Sequence, residues 1–264
     1  MDLVTKEDIQ IIKGKYFLPY IKYNAEEKIA THKKIVILDL DETLGSFSDL
    51  YLIWSGIRHV WPECSEFVKL VDLYPEFFRY GILTILEYIY QKKIQRICSK
   101  LVLYTNNQCS QNWVNMICQY MDLEVKRQYP HKTKLFDQII GPYRIGTNVL
   151  EGKRTTHKKK MSDLLNYFPY DRKSQFCFID DVLFNEMKGK NVFYICPKPY
   201  VHVLTLHEMI RRMRKAAWVP EKYRILNGSS YWRSWFSLNR HYLRRKENDP
   251  FNDLNISRKM FIHL

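Results

Sequence analysis

Three carboxylates, Asp39, Asp41 and Glu42, follow directly on the apolar run Ile35-Val36-Ile37-Leu38. Side chains alternate along an extended chain, so Asp39 and Asp41 stand on one side of it. Two anions held that close repel, and the pair calls for a cation or a shared proton. The pattern recurs where Asp180 and Asp181 close the run Phe176-Cys177-Phe178-Ile179. Between the two lie Thr105, behind Leu101-Val102-Leu103-Tyr104, and the basic string Lys158-Lys159-Lys160. Carboxylates, a hydroxyl and an ammonium are the groups that hold a hard cation and a phosphate. Asp-x-Asp alone would equally suit an acidic turn after a core strand. Two such strings in order, with a Thr-ended run and a Lys-headed segment between them, ask far more of coincidence.

These groups need elements to place them. Unbroken Ile/Val/Leu/Phe runs of this length read as strands buried on both faces, the mark of a parallel sheet between helices. Ligands of open α/β sheets collect beyond the carboxyl ends of the strands, which is where each of these residues falls. Asn191-Val192-Phe193-Tyr194-Ile195 adds a strand stopped by Pro197 and Pro199. Helical periodicity runs over residues 75–93 through Phe78, Ile82, Ile85, Leu86, Ile89 and Tyr90, and again through Val203, Leu206, Ile210, Met213 and Ala217. Thr105 opens a further helical stretch containing Trp113, Ile117 and Tyr120, where it suits both a helix N-cap and a phosphate contact. The fold class expected is α/β, a doubly wound parallel sheet with helices on both faces.

The string Asp39-Leu40-Asp41-Glu42-Thr43-Leu44 resembles motif I of the haloacid dehalogenase superfamily of phosphotransferases. With Glu42 in place it looks most like the branch that contains the phosphatases of the RNA polymerase II C-terminal domain. Arg79-Tyr80-Gly81, followed by Leu86, stands where that branch usually has Arg-Pro-Gly and then a leucine. Thr105 matches motif II, although Asn106 and Asn107 replace the Ala-Ser that commonly follows. Lys159, with Met161 two residues on and Leu164 five on, fits motif III better than Lys160 does. Asp180-Asp181 looks like motif IV. The resemblance covers residues 34–217 and rests on these four ordered motifs.

The resemblance implies a Mg²⁺-dependent phosphomonoester hydrolase that works through an aspartyl-phosphate. Asp39 would be the nucleophile and Asp41 the acid and base. Asp39, the backbone carbonyl of Asp41, and Asp180 would hold Mg²⁺, with Asp181 orienting its water shell. Thr43, Thr105, Asn106, Lys159 and Lys160 would contact the phosphate. Phosphoserine or phosphothreonine in a protein is the substrate the branch suggests. A nucleic-acid end (3′-) phosphatase is the alternative within the superfamily. A non-catalytic scaffold, as in the branch's mitochondrial import relatives, is a third reading, and the retention of both motif I aspartates argues against it.

Composition sets the boundaries. The chain has 264 residues, 46% hydrophobic and 15% aromatic, enough to fill a core, and a formal charge of +14 that favours polyanionic partners. Six cysteines show no Cys-x-x-Cys pair or zinc-ligand spacing, which suits a reducing, intracellular setting, nucleus or cytoplasm. Asp2, Lys6, Glu7 and Asp8 exclude an apolar signal core, and no run approaches the roughly 18 residues of a membrane span, so no membrane association is expected. Residues 1–33, with Pro19, read as a lead-in packed outside a 34–217 domain. Residues 45–75, rich in aromatics, read as local core or a specificity loop. Residues 122–157 suit a small hairpin insertion, with Arg144, Lys153 and Arg154 as solvated loop charges or phosphate grips. Residues 218–264 form a basic, mainly helical extension. The last 64 residues hold thirteen Lys/Arg against five Asp/Glu. There Trp218, Tyr223, Tyr231, Trp232, Trp235, Phe236 and Tyr242 interleave with Arg224, Arg233, Arg240, Arg244, Arg245 and Lys246. Such interleaving suits either aromatics packed on the core or a single-stranded nucleic acid stacked on them.

Overall fold

The computed structural model describes residues 8–15, 33–239 and 249–264. Pro19, Arg240, Tyr242, Arg244, Arg245 and Lys246 lie outside the described residues. The architecture is α/β, a six-stranded, mostly parallel sheet flanked by helices and compatible with a Rossmann-like fold. The strands are β1 (Ile9–Lys13), β2 (Lys34–Leu38), β3 (Lys100–Tyr104), β4 (Gln138–Ile140), β7 (Gln175–Ile179) and β8 (Val192–Pro197). Their order is β1-β8-β7-β2-β3-β4, parallel except for β1. From β2 the chain winds outward through β3 to β4, then returns to β7 beside β2 and winds the other way. The order therefore reverses between β2 and β7, and a crevice opens beyond their carboxyl ends.

Both faces of the sheet are buried, as the apolar runs require. Val36, Leu38, Leu101, Leu103, Cys177, Ile179, Phe193 and Ile195 join one core cluster, while Ile35, Ile37, Val102, Tyr104, Phe176, Phe178, Val192 and Tyr194 join a second. The cover is lopsided. The first cluster takes residues from α1 (Phe47–Val60), α2 (Phe67–Leu73), α3 (Ile82–Ile94), α4 (Gln111–Gln128), α6 (Leu206–Arg214), α7 (Ser229–Leu238) and α8 (Pro250–His263). The second is roofed by α5 (Met161–Tyr167), with Phe168, Met187 and partly buried Leu183 and Phe184 beside it. A two-stranded hairpin, β5 (Arg144–Ile145) with β6 (Asn148–Val149), lies where the turn-rich insertion was expected.

Four expectations are corrected. The lead-in contributes β1, which pairs antiparallel along β8. Of the two readings of residues 45–75, local core holds and the specificity loop does not: the segment carries helices α1 and α2, with Trp54 and Trp61 buried. The helix expected over 75–93 is broken, because Pro75–Phe77 is a 3₁₀ turn, Phe78 is extended, and Gly81 at φ +79° starts α3. Thr105 does not cap α4: Ser110 does, its hydroxyl accepting from the Trp113 amide at 3.2 Å.

The described part of the basic extension is core-packed. Trp232 and Phe236 on α7 and Ile256 and Met260 on α8 are buried. Trp235 Nε1 donates to Leu52 O at 2.9 Å, and Tyr231 donates to Gly56 O at 2.6 Å. A Cβ on Gly56 would lie 2.8 Å from Trp232, so α7 seats on α1 only because that position has no side chain. Tyr223 stacks on Trp61 with centroids 4.9 Å apart. Trp232→Ala should then cost about 3–5 kcal/mol in urea unfolding, as for other buried aromatics. A loss below about 1 kcal/mol would show α7 to be peripheral.

Candidate metal and phosphate centre

Register alone brings the acidic residues together. Leu38 sits opposite Ile179 on one side and Leu103 on the other. The pairing continues one residue past the strand ends: the Asp39 amide donates to Ile179 O, the Asp180 amide to Ile195 O and the Thr105 amide to Ile140 O. Neighbouring strands are about 4.8 Å apart, so Asp39 and Asp180 emerge side by side at the reversal point. Alternation turns both toward the thinly covered face, since Leu38 and Ile179 face the other way.

Lys159 arrives on that face, two residues before α5. Its segment is tied down by Asp163, which accepts from the Thr155 amide at 2.9 Å and from its hydroxyl at 3.1 Å. Lys159 is 2% exposed, and Nζ donates to Asp39 Oδ1 at 2.5 Å and Asp180 Oδ2 at 2.6 Å. Burial alone would weaken the ammonium, but Asp180 and Asp39 outweigh it and raise its pKa. Burial also pushes Asp180 up, against the pull of Lys159. Lys160, the residue before α5, does not line the cavity, which corrects its assignment as a phosphate contact.

Asp39, Asp180 and Asp181 each offer an oxygen within 4.8 Å of the others. Hard carboxylate oxygens at that spacing suit a divalent cation. The side chain of Asp41 is outside that triad. Its Oδ2 accepts from Asn107 Nδ2 at 2.8 Å, and its Oδ1 has no hydrogen-bond partner among the described residues. Burial, helped by Asp39, raises the Asp41 pKa to about 8 despite the Asn107 bond. Asp181 is raised by the same two causes to about 7. Thr43 is fully buried, and its hydroxyl donates to Asp181 Oδ1 at 2.8 Å while accepting from the Asp181 amide at 2.9 Å. Thr43 is thus a brace for Asp181 and not a phosphate contact.

A cavity of about 560 Å³ joins Asp39, Asp41, Thr105, Asn106, Lys159, Asp180 and Asp181, so all the remaining sequence-assigned residues meet in one place. Ser48 and Tyr51 of α1 form one wall, with Val182 and Phe184 also lining the cavity.

Two residues that sequence reasoning undervalued organise the Thr105 side. Asn107 holds Asp41, and its Oδ1 accepts from the Cys109 amide at 2.8 Å. Arg154, weighed mainly as a solvated loop charge, is 2% exposed. It donates to Thr105 O at 3.1 Å, Gly141 O at 2.6 Å and Asn106 Oδ1 at 2.7 Å. It pins the loop after β3 to the insertion. Arg144 and Lys153 do not line the cavity. A basic residue near glycines gives no sequence signal for such burial.

No helix among the described residues is long and apolar enough to cross a membrane. Compared with protein-family models, curated proteins and solved structures, the chain returned no match.

The crowded carboxylates set a pH dependence. The folded chain keeps the Asp41 proton to about pH 8, whereas the unfolded chain releases it near pH 4. Between these values the folded state binds more protons, so its stability falls as pH rises. In urea unfolding with a chelator present, Asp41→Asn should flatten that decline and match wild type best at about pH 4 and below. An unchanged slope would remove Asp41 as its source.

Proposed function

We propose that the chain is a Mg²⁺-dependent phosphomonoester hydrolase of the haloacid dehalogenase type, acting on phosphoserine or phosphothreonine in proteins. The observation that carries this reading is the convergence of Asp39, Asp41, Thr105, Lys159, Asp180 and Asp181, from four separate stretches of chain, around one cavity at the sheet's reversal point.

The side chains divide the work. Asp39 is the nucleophile: a carboxylate oxygen attacks phosphorus, the bond to the leaving oxygen breaks, and an aspartyl-phosphate forms. Asp41, protonated at neutral pH, gives its proton to the leaving oxygen and later takes one from the attacking water. Asn107 occupies Asp41 Oδ2, which leaves Oδ1 to carry that proton. Lys159 and Thr105 face the cavity and offset the charge of the phosphate oxygens. Asp39, Asp180 and Asp181 fit Mg²⁺, with the Asp41 carbonyl as a further oxygen. When bound, the ion would neutralise phosphate and carboxylate charge together.

A protein substrate suits the open cavity better than a nucleic-acid end. The described aromatics of the basic extension, on which bases would stack, are largely spent on the core: Trp232, Trp235, Tyr231 and Tyr223 pack against α1 and Trp61.

Phosphate release should require Mg²⁺ and be lost in Asp39→Asn by at least about a thousandfold, as expected when a nucleophile is removed. A phosphoserine peptide and a 3′-phosphorylated oligonucleotide should be assayed side by side, with turnover expected on the peptide. Oligonucleotide turnover alone would replace the protein substrate, and release from neither, nor from an aryl phosphate, would end the catalytic reading.

A further inference from the structure

Arg79 lies outside the cavity, yet it shapes the loop that follows Asp41. It is 1% exposed. Its Nε donates to Thr43 O, and its Nη2 to both Glu42 O and Lys198 O, each at 2.7 Å. Its own amide donates to Leu44 O at 2.9 Å. The loop needs such a clamp. Glu42 has φ +58°, a left-handed conformation that disfavours a residue with a side chain. A Cβ on Gly45 would come within 2.3 Å of Phe77 O, so the loop runs hard against the chain before Arg79. The clamp bears on the acid and the metal triad together. Asp41 precedes Glu42, and Thr43 holds Asp181.

A guanidinium buried this deeply needs a counter-charge. Among the described residues, one carboxylate lies within ion-pairing distance of it: Asp253 Oδ1, 3.5 Å from Nη1, on α8. Asp253 is itself 3% exposed. The helix is seated by Ile256 and Met260 in the core and by Asn252 Nδ2 donating to Asp8 Oδ1 at 3.1 Å.

We infer that α8 is a positioning element for the active site: Asp253 is a positioning residue that acts through Arg79 on Glu42 and Thr43, so that seating this helix sets the shape of the catalytic loop. Its effect on turnover rests on the phosphatase reading, whereas its effect on the loop does not. Displacement of α8 by any cause then disables a site to which it contributes no lining residue. The helix is a control point remote in sequence from every motif.

The test compares Asp253→Asn, Asp253→Ala and Trp232→Ala with wild type, all as full chains. Amide ¹⁵N–¹H spectra without metal are read beside thermal unfolding and hydrolysis of an aryl phosphate with Mg²⁺. Both Asp253 variants should displace the Glu42, Thr43 and Gly45 signals. They should lower kcat about tenfold while KM stays within about twofold, as misplacement of reacting groups does. Trp232→Ala, a buried truncation on α7 and not on α8, should lower the melting temperature without displacing those signals. Asp253→Asn keeps the shape of the side chain, so it reports even where Asp253→Ala fails to fold. Loop signals unmoved in Asp253→Asn would overturn the inference. So would equal displacement in Trp232→Ala, or an unchanged kcat beside displaced signals. A wild type that hydrolyses no phosphomonoester would sink the phosphatase reading alone, and the loop signals would still decide the coupling.

Discussion

Everything at the centre of this protein depends on holding carboxylates closer together than they would choose. Asp39 and Asp180 are forced side by side by the register of β2 and β7, and neither can move without breaking a ladder bond. The Lys159 ammonium makes this tolerable by bonding to both. Burial then acts in opposite directions: it strengthens the Lys159 contacts by removing competing water, and it raises the cost of any carboxylate left without a partner. A site built on such opposition sets three carboxylates at a spacing that could hold a metal ion, with an ammonium bonded to two of them.

The scaffold divides the labour between its two faces. The thickly covered face supplies the rigidity, with seven helices contributing to one continuous core. The thin face carries the Lys159 contacts, and among the described residues α5 and a few loop residues cover the sheet there. Lys159 reaches Asp39 and Asp180 from this thinner side. Arg154 and Arg79 do for the loops after β3 and β2 what backbone ladders do for the strands. Each gathers several carbonyl oxygens on one guanidinium, in a region where no regular structure satisfies them.

The strands were legible because burial on both faces leaves an unbroken apolar run, and the acidic ends were legible because nothing in a core explains them. Lys159 could be picked from its triplet by the register of the motif that the segment resembles, with Met161 two residues on and Leu164 five on. The rest was hidden for physical reasons. β1 is only five residues long, and one partner strand suffices to define it. The aromatics of residues 45–75 mark burial without marking shape, so two helices were indistinguishable from a packed loop. Asn107, Arg154 and Asp253 act through contacts between distant parts of the chain, and such contacts have no period. Thr43 was misread for a related cause: a hydroxyl beside an acid can serve phosphate or carboxylate, and only the fold shows which is nearer.

One consequence follows from β1. The motif-bearing region begins at Lys34, and cutting the chain there would seem harmless. Yet β8 is buried along its whole length, from Val192 to Pro197, and β1 is the neighbour that covers its outer side. Without Ile9–Lys13 that flank would offer a row of unsatisfied amides and carbonyls on an apolar ribbon, a template for sheet-to-sheet association. The opposite edge, β4, is only three residues long. The N-terminal strand thus guards that flank: a shortened chain would keep every residue that lines the cavity and still be prone to aggregation.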